Sequence, residues 1–328
     1  MQQGPRPRYN TAFTLFYINI GVNGLATLLT IALIIYMKKK DALKLNLYTR
    51  CLLQMTIYQL LFELGAAMFT DVGNPFNNGP NGTATAAAVS ALVLGGCGAS
   101  MWSLLLLVAA MCTVQFGRGP RLKEEITTSV LVNVCLVGFT IPFTLAGLVA
   151  YDHRAEFGEM MKLYSHVRNA TVIISLLVLL RIYYILRQTS NQEGKSNNHP
   201  LYHLLQRLVW YPVIQGITRF CASFYTFVYG QTANGYPENA GTFQTICLYI
   251  VVVGMPLAGI GSFLVFVSQQ HGARDSLITM LGLQNIIKLS ADSSNMALTN
   301  KNSSNIIFPL STEEYRHQSL CNMDEAEL

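Results

Sequence analysis

Seven long stretches of apolar residues, separated by short polar segments, constrain this sequence more than any other feature. They cover residues 13–37, 45–69, 86–116, 126–150, 165–186, 208–229 and 243–268. A helix needs about 20 apolar residues to cross the hydrocarbon of a bilayer, where it satisfies its own backbone hydrogen bonds. Only 12% of the residues are charged, whereas a soluble domain carries about 25%. The sequence therefore predicts an all-α integral membrane protein, with a bundle of seven transmembrane helices over residues 13–268.

The basic residues between the stretches predict the orientation of the bundle. The connections after the first, third and fifth stretches, together with the start of the second stretch, carry most of them: Lys38, Lys39, Lys40, Lys44, Arg50, Arg118, Arg121, Lys123, Arg187, Lys195 and Arg207. Cytoplasmic loops are enriched in Lys and Arg, so we expect residues 1–12 outside the cell and the C-terminus in the cytoplasm. Asn81 begins a glycosylation sequon in the first predicted outer loop, which makes it a candidate glycosylation site. The plasma membrane is the expected location, since the sequence shows no organelle signal.

Two further segments follow the last stretch. Residues 269–283 place Leu277, Met280 and Leu281 on one helical face with polar neighbours. This pattern predicts a short amphipathic helix along the inner membrane surface. Residues 284–328 are polar and rich in Ser and Asn, which predicts a disordered cytoplasmic tail.

Several functional classes are disfavoured by the sequence. No stretch contains a lysine for a retinal Schiff base, and the HExxH and GxSxG motifs of metalloproteases and serine hydrolases do not occur. None of the seven cysteines has CxxC spacing, so nothing indicates a zinc site or a disulfide framework. The basic residues flank the apolar stretches instead of forming a stripe with aromatics, so nucleic acid is not an expected partner. We expect no enzyme activity, no cofactor and no metal, and a lipid bilayer around the chain.

Polar side chains inside the stretches are the candidate functional residues, because polar and charged groups are costly within a bilayer. Asn19 and Asn23 share one helical face in the first stretch, and Gln59 and Glu63 share one in the second. A rise of about 1.5 Å per residue from the predicted outer ends puts Asn19 level with Glu63, and Asn23 level with Gln59. Arg219, in the sixth stretch, lies at the same predicted depth as Asn23 and Gln59.

Together these side chains predict an outward-facing polar cavity that binds a ligand. We expect its lining to include Asn23, Gln59, Glu63, Trp102, Arg168, Arg219 and Tyr225. Glu63 and Arg219 either pair with each other, which would lock a resting state, or bind charged groups of the ligand. For Asn23 and Gln59 the alternative is an interhelical hydrogen-bond network without a ligand, a role for which amide side chains are well suited.

Prolines mark the sixth and seventh stretches as the mobile ones. Pro212 lies early in the sixth stretch and Pro256 lies within the seventh. Proline removes a backbone hydrogen bond and kinks a helix. We therefore predict helix hinges at both positions.

The topology and two motifs resemble a G-protein-coupled receptor. Arg207-Leu-Val-Trp-Tyr-Pro212 opens the sixth stretch, and Pro256-Leu-Ala-Gly259 lies in the seventh, followed by Phe263-Leu-Val-Phe266. These segments are similar to the basic-x3-Tyr-Pro and Pro-Leu-x-Gly motifs of the cyclic-AMP-receptor-like receptors of slime moulds and other microbial eukaryotes. The rhodopsin-like class differs, because the third stretch here ends in Gln115-Phe-Gly-Arg118 instead of Asp/Glu-Arg-Tyr.

The resemblance implies that an extracellular ligand, whose identity it does not give, rearranges helices six and seven so that their inner ends admit a heterotrimeric G protein. The implied G-protein contacts are Arg118, Arg121, Lys123, Arg187 and Arg207. The alternative is that these basic residues only determine the membrane topology and attract anionic lipid, which explains their positions equally well. The competing function is a transporter or channel with Glu63 and Arg219 along its permeation path. The odd number of helices and the lack of an internal repeat disfavour it.

Overall fold

The computed structural model describes residues 7–40, 42–43, 47–71, 82–116, 122–193, 209–218, 246–247, 249–250, 253–254, 257–270 and 272–283. The regular secondary structure within these ranges is helical. Its elements are α1 (Pro7–Lys39), α2 (Leu47–Asp71), α3 (Gly82–Phe116), α4 (Leu122–Leu148), α5 (Arg154–Glu193), α6 (209–218), α7 (Ala258–Gln269) and α8 (Ala273–Met280). The described residues 246–247, 249–250 and 253–254 are also helical.

Helices α1 to α5 are each long and apolar enough to cross a membrane. Their apolar parts are Thr14–Lys39, Tyr48–Phe69, Gly82–Thr113, Ile126–Leu148 and Ala155–Ile185. These parts coincide with the first five predicted stretches, so the prediction of an all-α protein with several membrane helices is confirmed. The described residues of α6 lie within the sixth stretch, and α7 covers the end of the seventh.

Helix α3 is the most buried of the five long helices. Of its apolar window 67% is buried, compared with 22% for α4 and for α5. Glycines allow this burial, because a Cβ on Gly95 would lie 2.6 Å from the Cα of Phe62, and a Cβ on Gly65 would lie 2.6 Å from the carbonyl carbon of Ala91. Small residues let membrane helices approach closely. Helices α2 and α3 therefore pack backbone against backbone.

Helix α5 begins at Arg154, whereas the sequence predicts its start at residue 165. The additional turns bury Phe157, Met161 and Tyr164, which share one helical face at spacings of four and three residues. The Phe157 ring stacks on Phe69 of α2, with the ring centroids 6.4 Å apart. An apolar face on this otherwise polar segment therefore extends the helix into the predicted outer loop.

Contacts divide the chain into two compact units, Met1–Leu277 and Ile278–Leu328. In the first unit, Gly272 makes the turn before α8 with a φ of 72°, a left-handed conformation that glycine adopts without steric cost. In the second unit the described residues end at Leu283, whose N–H donates to the Ile278 carbonyl at 3.0 Å.

Candidate functional site

The carboxyl group of Glu63 is the centre of a buried polar cluster between α1 and α2. Glu63 is only 2% exposed. Gln59 Nε2, one turn earlier on α2, donates to Glu63 Oε1 at 2.9 Å, and Thr27 Oγ1 of α1 lies 3.3 Å from both carboxyl oxygens. Because buried polar groups cost free energy unless they are hydrogen-bonded, the Gln59 amide stabilises the carboxyl group within the bundle. Thr27 is a polar neighbour of the carboxyl group, because its single hydroxyl proton lies closer to the Asn23 carbonyl, at 2.8 Å.

The same cluster reaches α7 through Asn23. The Oδ1 atom of Asn23 accepts a hydrogen bond from the backbone N–H of Ile260 at 3.0 Å, while its Nδ2 donates to the Asn19 carbonyl at 2.8 Å. Ile260 lies in the first turn of α7, where backbone N–H groups lack partners within the helix. The N-cap residue of α7, Leu257, provides no side-chain hydrogen bond. Asn23 of α1 therefore caps α7 from a neighbouring helix.

Glycines bring the backbone of α7 against the carboxyl group. A Cβ on Gly259 would lie 2.5 Å from Thr27 Oγ1 and 2.8 Å from Glu63 Oε1. A Cβ on Gly24 of α1 would meet Glu63 Oε2 at 3.6 Å, an ordinary contact distance. At position 259 no side chain larger than hydrogen fits without displacing the cluster.

Gln215 connects the cluster to α6. Its Nε2 donates to Gln59 Oε1 at 3.4 Å, which is long for a hydrogen bond. Gln215 is 2% exposed, and its Oε1 has no hydrogen-bond partner among the described residues. We call Asn23, Thr27, Gln59, Glu63 and Gln215 the Glu63 network. It joins α1 and α2 to both α6 and α7.

A small polar cavity of about 10 Å³ lies beside the network between α3, α5 and α6. Its lining consists of Ser100, Ser103, Val172, Ser175, Pro212, Gln215 and Gly216. Within the described part of the chain, Ser103 Oγ also lacks a hydrogen-bond partner. This volume is about the smallest that holds one water molecule, and Ser103 and Gln215 both line it.

The structure brings three of the predicted ligand-binding residues together, namely Asn23, Gln59 and Glu63. Trp102 lines a different cavity, between α2, α3 and α4. The Arg168 guanidinium lies 5.2 Å from the centroid of the Tyr164 ring on its own helix, α5. Arg219 and Tyr225 fall outside the described residues, so their membership of the site stays a prediction.

The other predicted functional residues are only partly described. Pro212 lies in α6 and lines the small cavity, and Arg187 is exposed near the end of α5. Five of the remaining positions lie outside the described residues: Asn81, Arg118, Arg121, Arg207 and Pro256. Lys123 lies in α4, but its side chain is not described.

The predicted depth pairing of the polar residues is wrong. Counting from the predicted ends placed Glu63 level with Asn19, but Glu63 contacts Thr27, two turns deeper along α1. The reason is that helices in a bundle are offset and tilted by their packing. Apolar stretches set approximate spans, whereas side-chain packing sets the offset between helices.

Two members of the network were missed by the sequence analysis, and both carried a signal. Thr27 lies one turn after Asn23 on the same face of α1, and Gln215 lies one turn before Arg219 on the same face of the sixth stretch. Threonine in a membrane helix commonly bonds the carbonyl four residues earlier, and Thr27 does so with Asn23 at 2.8 Å. Because this bond lies within α1, the sequence around Thr27 does not indicate its second contact, with Glu63 of α2.

Comparison of the sequence with protein families and curated proteins gives no match. No protein-family model matches the chain, and no curated protein matches its sequence.

Proposed function

We propose that the chain is a seven-helix receptor of the G-protein-coupled type. An extracellular ligand would change the packing of α6 and α7, and their inner ends would then activate a heterotrimeric G protein. The five apolar helices support a multi-pass membrane protein. Helical residues in the sixth and seventh stretches support two more spans. The proposed orientation, with the N-terminus outside and the C-terminus in the cytoplasm, depends on the basic residues between the stretches, and the plasma membrane is the proposed location.

The observation that carries this proposal is the position of the Glu63 network. Both motifs that resemble the receptor family adjoin it, although they are far apart in the sequence. Pro212, at the end of the first motif, lines the cavity that Gln215 shares, and Gly259, at the end of the second, lies against Glu63. A polar network that joins α6 and α7 to α1 and α2 can stabilise one packing of the bundle and release it when its bonds are exchanged.

The proposed ligand site lies on the outer side of this network. We propose that Arg168, Arg219 and Tyr225 contact the ligand there, while Asn23, Gln59 and Glu63 transmit its binding to α6 and α7. Pro212 and Pro256 serve as the hinges. The proposed G-protein surface consists of Arg118, Arg121, Lys123, Arg187 and Arg207.

The test is nucleotide exchange by purified G proteins in vesicles that contain the purified chain, with and without cell extract as a ligand source. We expect exchange to exceed that of empty vesicles. Pro212→Ala should reduce it, and Gln215→Leu should raise the ligand-independent rate because α6 loses its bond to Gln59. Ile217→Ala is the matched control, since Ile217 lies on α6 and is exposed on its outer face. Equal rates for all variants at equal protein level would contradict the proposal.

A transporter is the second candidate, and the small polar cavity favours it. Ser103 and Gln215, whose side-chain oxygens have no partner among the described residues, both line this cavity. Gln215 bonds Gln59, which in turn bonds the buried Glu63 carboxyl group, and intramembrane carboxyl groups commonly mark proton or solute pathways. The same vesicles distinguish the two functions. Solute or proton flux that Glu63→Gln abolishes, without any G-protein exchange, would replace the receptor proposal with the transporter.

A further inference from the structure

A second and larger cavity lies between α2, α3 and α4, away from the Glu63 network. Its volume is about 160 Å³, similar to the roughly 150 Å³ cavity that holds a benzene molecule in another protein. The lining includes Arg50 of α2, Trp102 of α3, and Ile126, Val130 and Asn133 of α4. A group of about six heavy atoms therefore fits within it.

Trp102, whose side chain lines this cavity, carries a hydrogen-bond donor without an acceptor. Trp102 is 2% exposed, and its Nε1–H has no hydrogen-bond partner in the part of the chain that the structure describes. The indole group is a donor only, and a buried donor without an acceptor is costly. The cavity therefore suits a ligand that carries a hydrogen-bond acceptor.

Arg50 places a positive charge nearer to the membrane surface than Trp102. Gly98 of α3 packs against the ring of Tyr58, and α2 and α3 run antiparallel. Trp102, one turn further along α3, is thus level with Gln54, about 6 Å deeper than Arg50 by the rise of a helix. Asn133 accepts a hydrogen bond from the Tyr58 hydroxyl at 2.8 Å and closes the deep end of the cavity.

The side of the cavity formed by α4 faces outward. Ile126 is 54% exposed and Val130 is 58% exposed, which in a bilayer places them against acyl chains. Further large apolar residues continue this exposed face along α4, including Val134 and Val137. A ligand in the cavity can therefore extend an apolar chain along α4 toward the middle of the bilayer.

We propose that this cavity binds one anionic phospholipid from the leaflet that contains the N-terminal end of α2. The lipid phosphate pairs with Arg50, because guanidinium and phosphate form strong charge-assisted hydrogen bonds. An ester carbonyl of the lipid, which lies deeper than its phosphate, accepts the hydrogen bond of Trp102. Lys38, Lys39 and Lys40 are exposed at the end of α1, on the same side of the bundle, and attract anionic lipid to this leaflet.

The two tryptophans of the chain provide a direct test. Trp210→Phe leaves Trp102 as the single tryptophan, and phospholipids with brominated acyl chains quench a tryptophan that they contact. The experiment titrates brominated phosphatidylglycerol or brominated phosphatidylcholine with the same chains into lipid-depleted protein in neutral detergent. We expect saturable quenching with at least about a tenfold preference for phosphatidylglycerol, the scale of a charge-assisted hydrogen bond.

Variants of Arg50 decide whether the preference arises in this cavity. Arg50→Gln should abolish the preference for phosphatidylglycerol, and Arg50→Lys should keep most of it, which also shows that the site tolerates substitution. Arg181→Gln removes an exposed cation of α5, near the Tyr184 ring, and should leave the preference unchanged. Equal quenching by both phospholipids, or an unchanged preference in Arg50→Gln, would overturn the proposal. Stronger quenching by a brominated sterol would also overturn it and assign the cavity to a neutral lipid.

Discussion

The interface between α2 and α3 and the contact of α6 and α7 with α1 and α2 are built differently. At the first, Gly65 and Gly95 bring the two backbones together, so that added methyl groups would overlap main-chain atoms. At the second, side chains make the connections: Asn23 bonds the Ile260 N–H, and Gln59 bonds Gln215. The first interface is backbone against backbone, whereas the second depends mainly on hydrogen bonds, with one close backbone approach at Gly259.

This difference indicates which helices can move relative to the others. A close-packed interface has one geometry and resists displacement, because packed interiors tolerate little change in volume. A polar contact of a few hydrogen bonds is directional, and the bonds can be exchanged for others at a small net cost. We infer that α2 and α3 form the rigid part of the bundle, and that α6 and α7 are the helices held by exchangeable bonds.

The largest expected effect comes from Gly95→Ala, which would break the steric interface. The new Cβ would lie 2.6 Å from the Phe62 Cα and 2.7 Å from the Tyr58 carbonyl oxygen, so the helices must separate. Overpacking of this kind costs about 3 kcal/mol. Thermal unfolding of the purified protein in detergent measures the loss.

The control is Gly138→Ala on α4, where a Cβ meets nothing within 4 Å and alanine favours the helix by up to about 1 kcal/mol. Matching unfolding midpoints for the two variants would show that the α2–α3 contact is not close-packed.

A somewhat smaller loss should follow from Glu63→Leu, which removes the centre of the polar contact. Gln59 Nε2 loses its acceptor, and an unsatisfied buried group costs about 2 kcal/mol. Glu63→Gln keeps an acceptor oxygen of the same shape and should retain most of the stability. Unfolding midpoints in the same detergent compare the two. If Gln and Leu were equally destabilising, the hydrogen bonds of this carboxyl group would not explain its contribution.

Asn23→Ala tests the cap that α1 provides to α7. The Ile260 N–H loses its side-chain acceptor, and losing a helix cap costs about 1 kcal/mol. Thr30→Ala is the matched control, because Thr30 is buried on the same helix and bonds only the Ala26 carbonyl among the contacts described. Hydrogen exchange at the start of α7 should accelerate in the first variant alone. Protection that stays unchanged would show that α7 does not depend on Asn23.

The smallest effect on stability is expected for Gln215→Leu. Its bond to Gln59 is long, at 3.4 Å, and its own Oε1 has no partner among the described residues. Removing a weak bond together with an unsatisfied carbonyl should change the free energy of unfolding by no more than about 0.5 kcal/mol. A loss as large as that of Glu63→Leu would mean that α6 is held as firmly as α2 and would remove the contrast between the two regions.

Local features made parts of the site predictable. Glu63, Gln59 and Asn23 stand out because polar residues are rare and costly within apolar stretches, and all three do lie in one network. Gln215 and Thr27 are neutral, and single neutral residues of this kind commonly bond their own helix. Their contacts with α2 depend on how the helices are rotated, which no local pattern contains. The same limit explains the wrong placement of Trp102. The sequence predicted it in the polar cavity, whereas in the structure it lines the cavity between α2, α3 and α4.

By itself the sequence determined the helical membrane class and the approximate positions of its helices. Both follow from local physics, since about 20 consecutive apolar residues suit a helix in hydrocarbon whatever the rest of the chain does. The tertiary structure alone decided the offset that brings Glu63 to Thr27 instead of Asn19, and the rotation that turns Gly259 toward the carboxyl group. Those choices come from packing. Two kinds of contact fix the offset and rotation of each helix relative to its neighbours, namely the backbone contacts of Gly65 and Gly95 and the contact of α7 with α1.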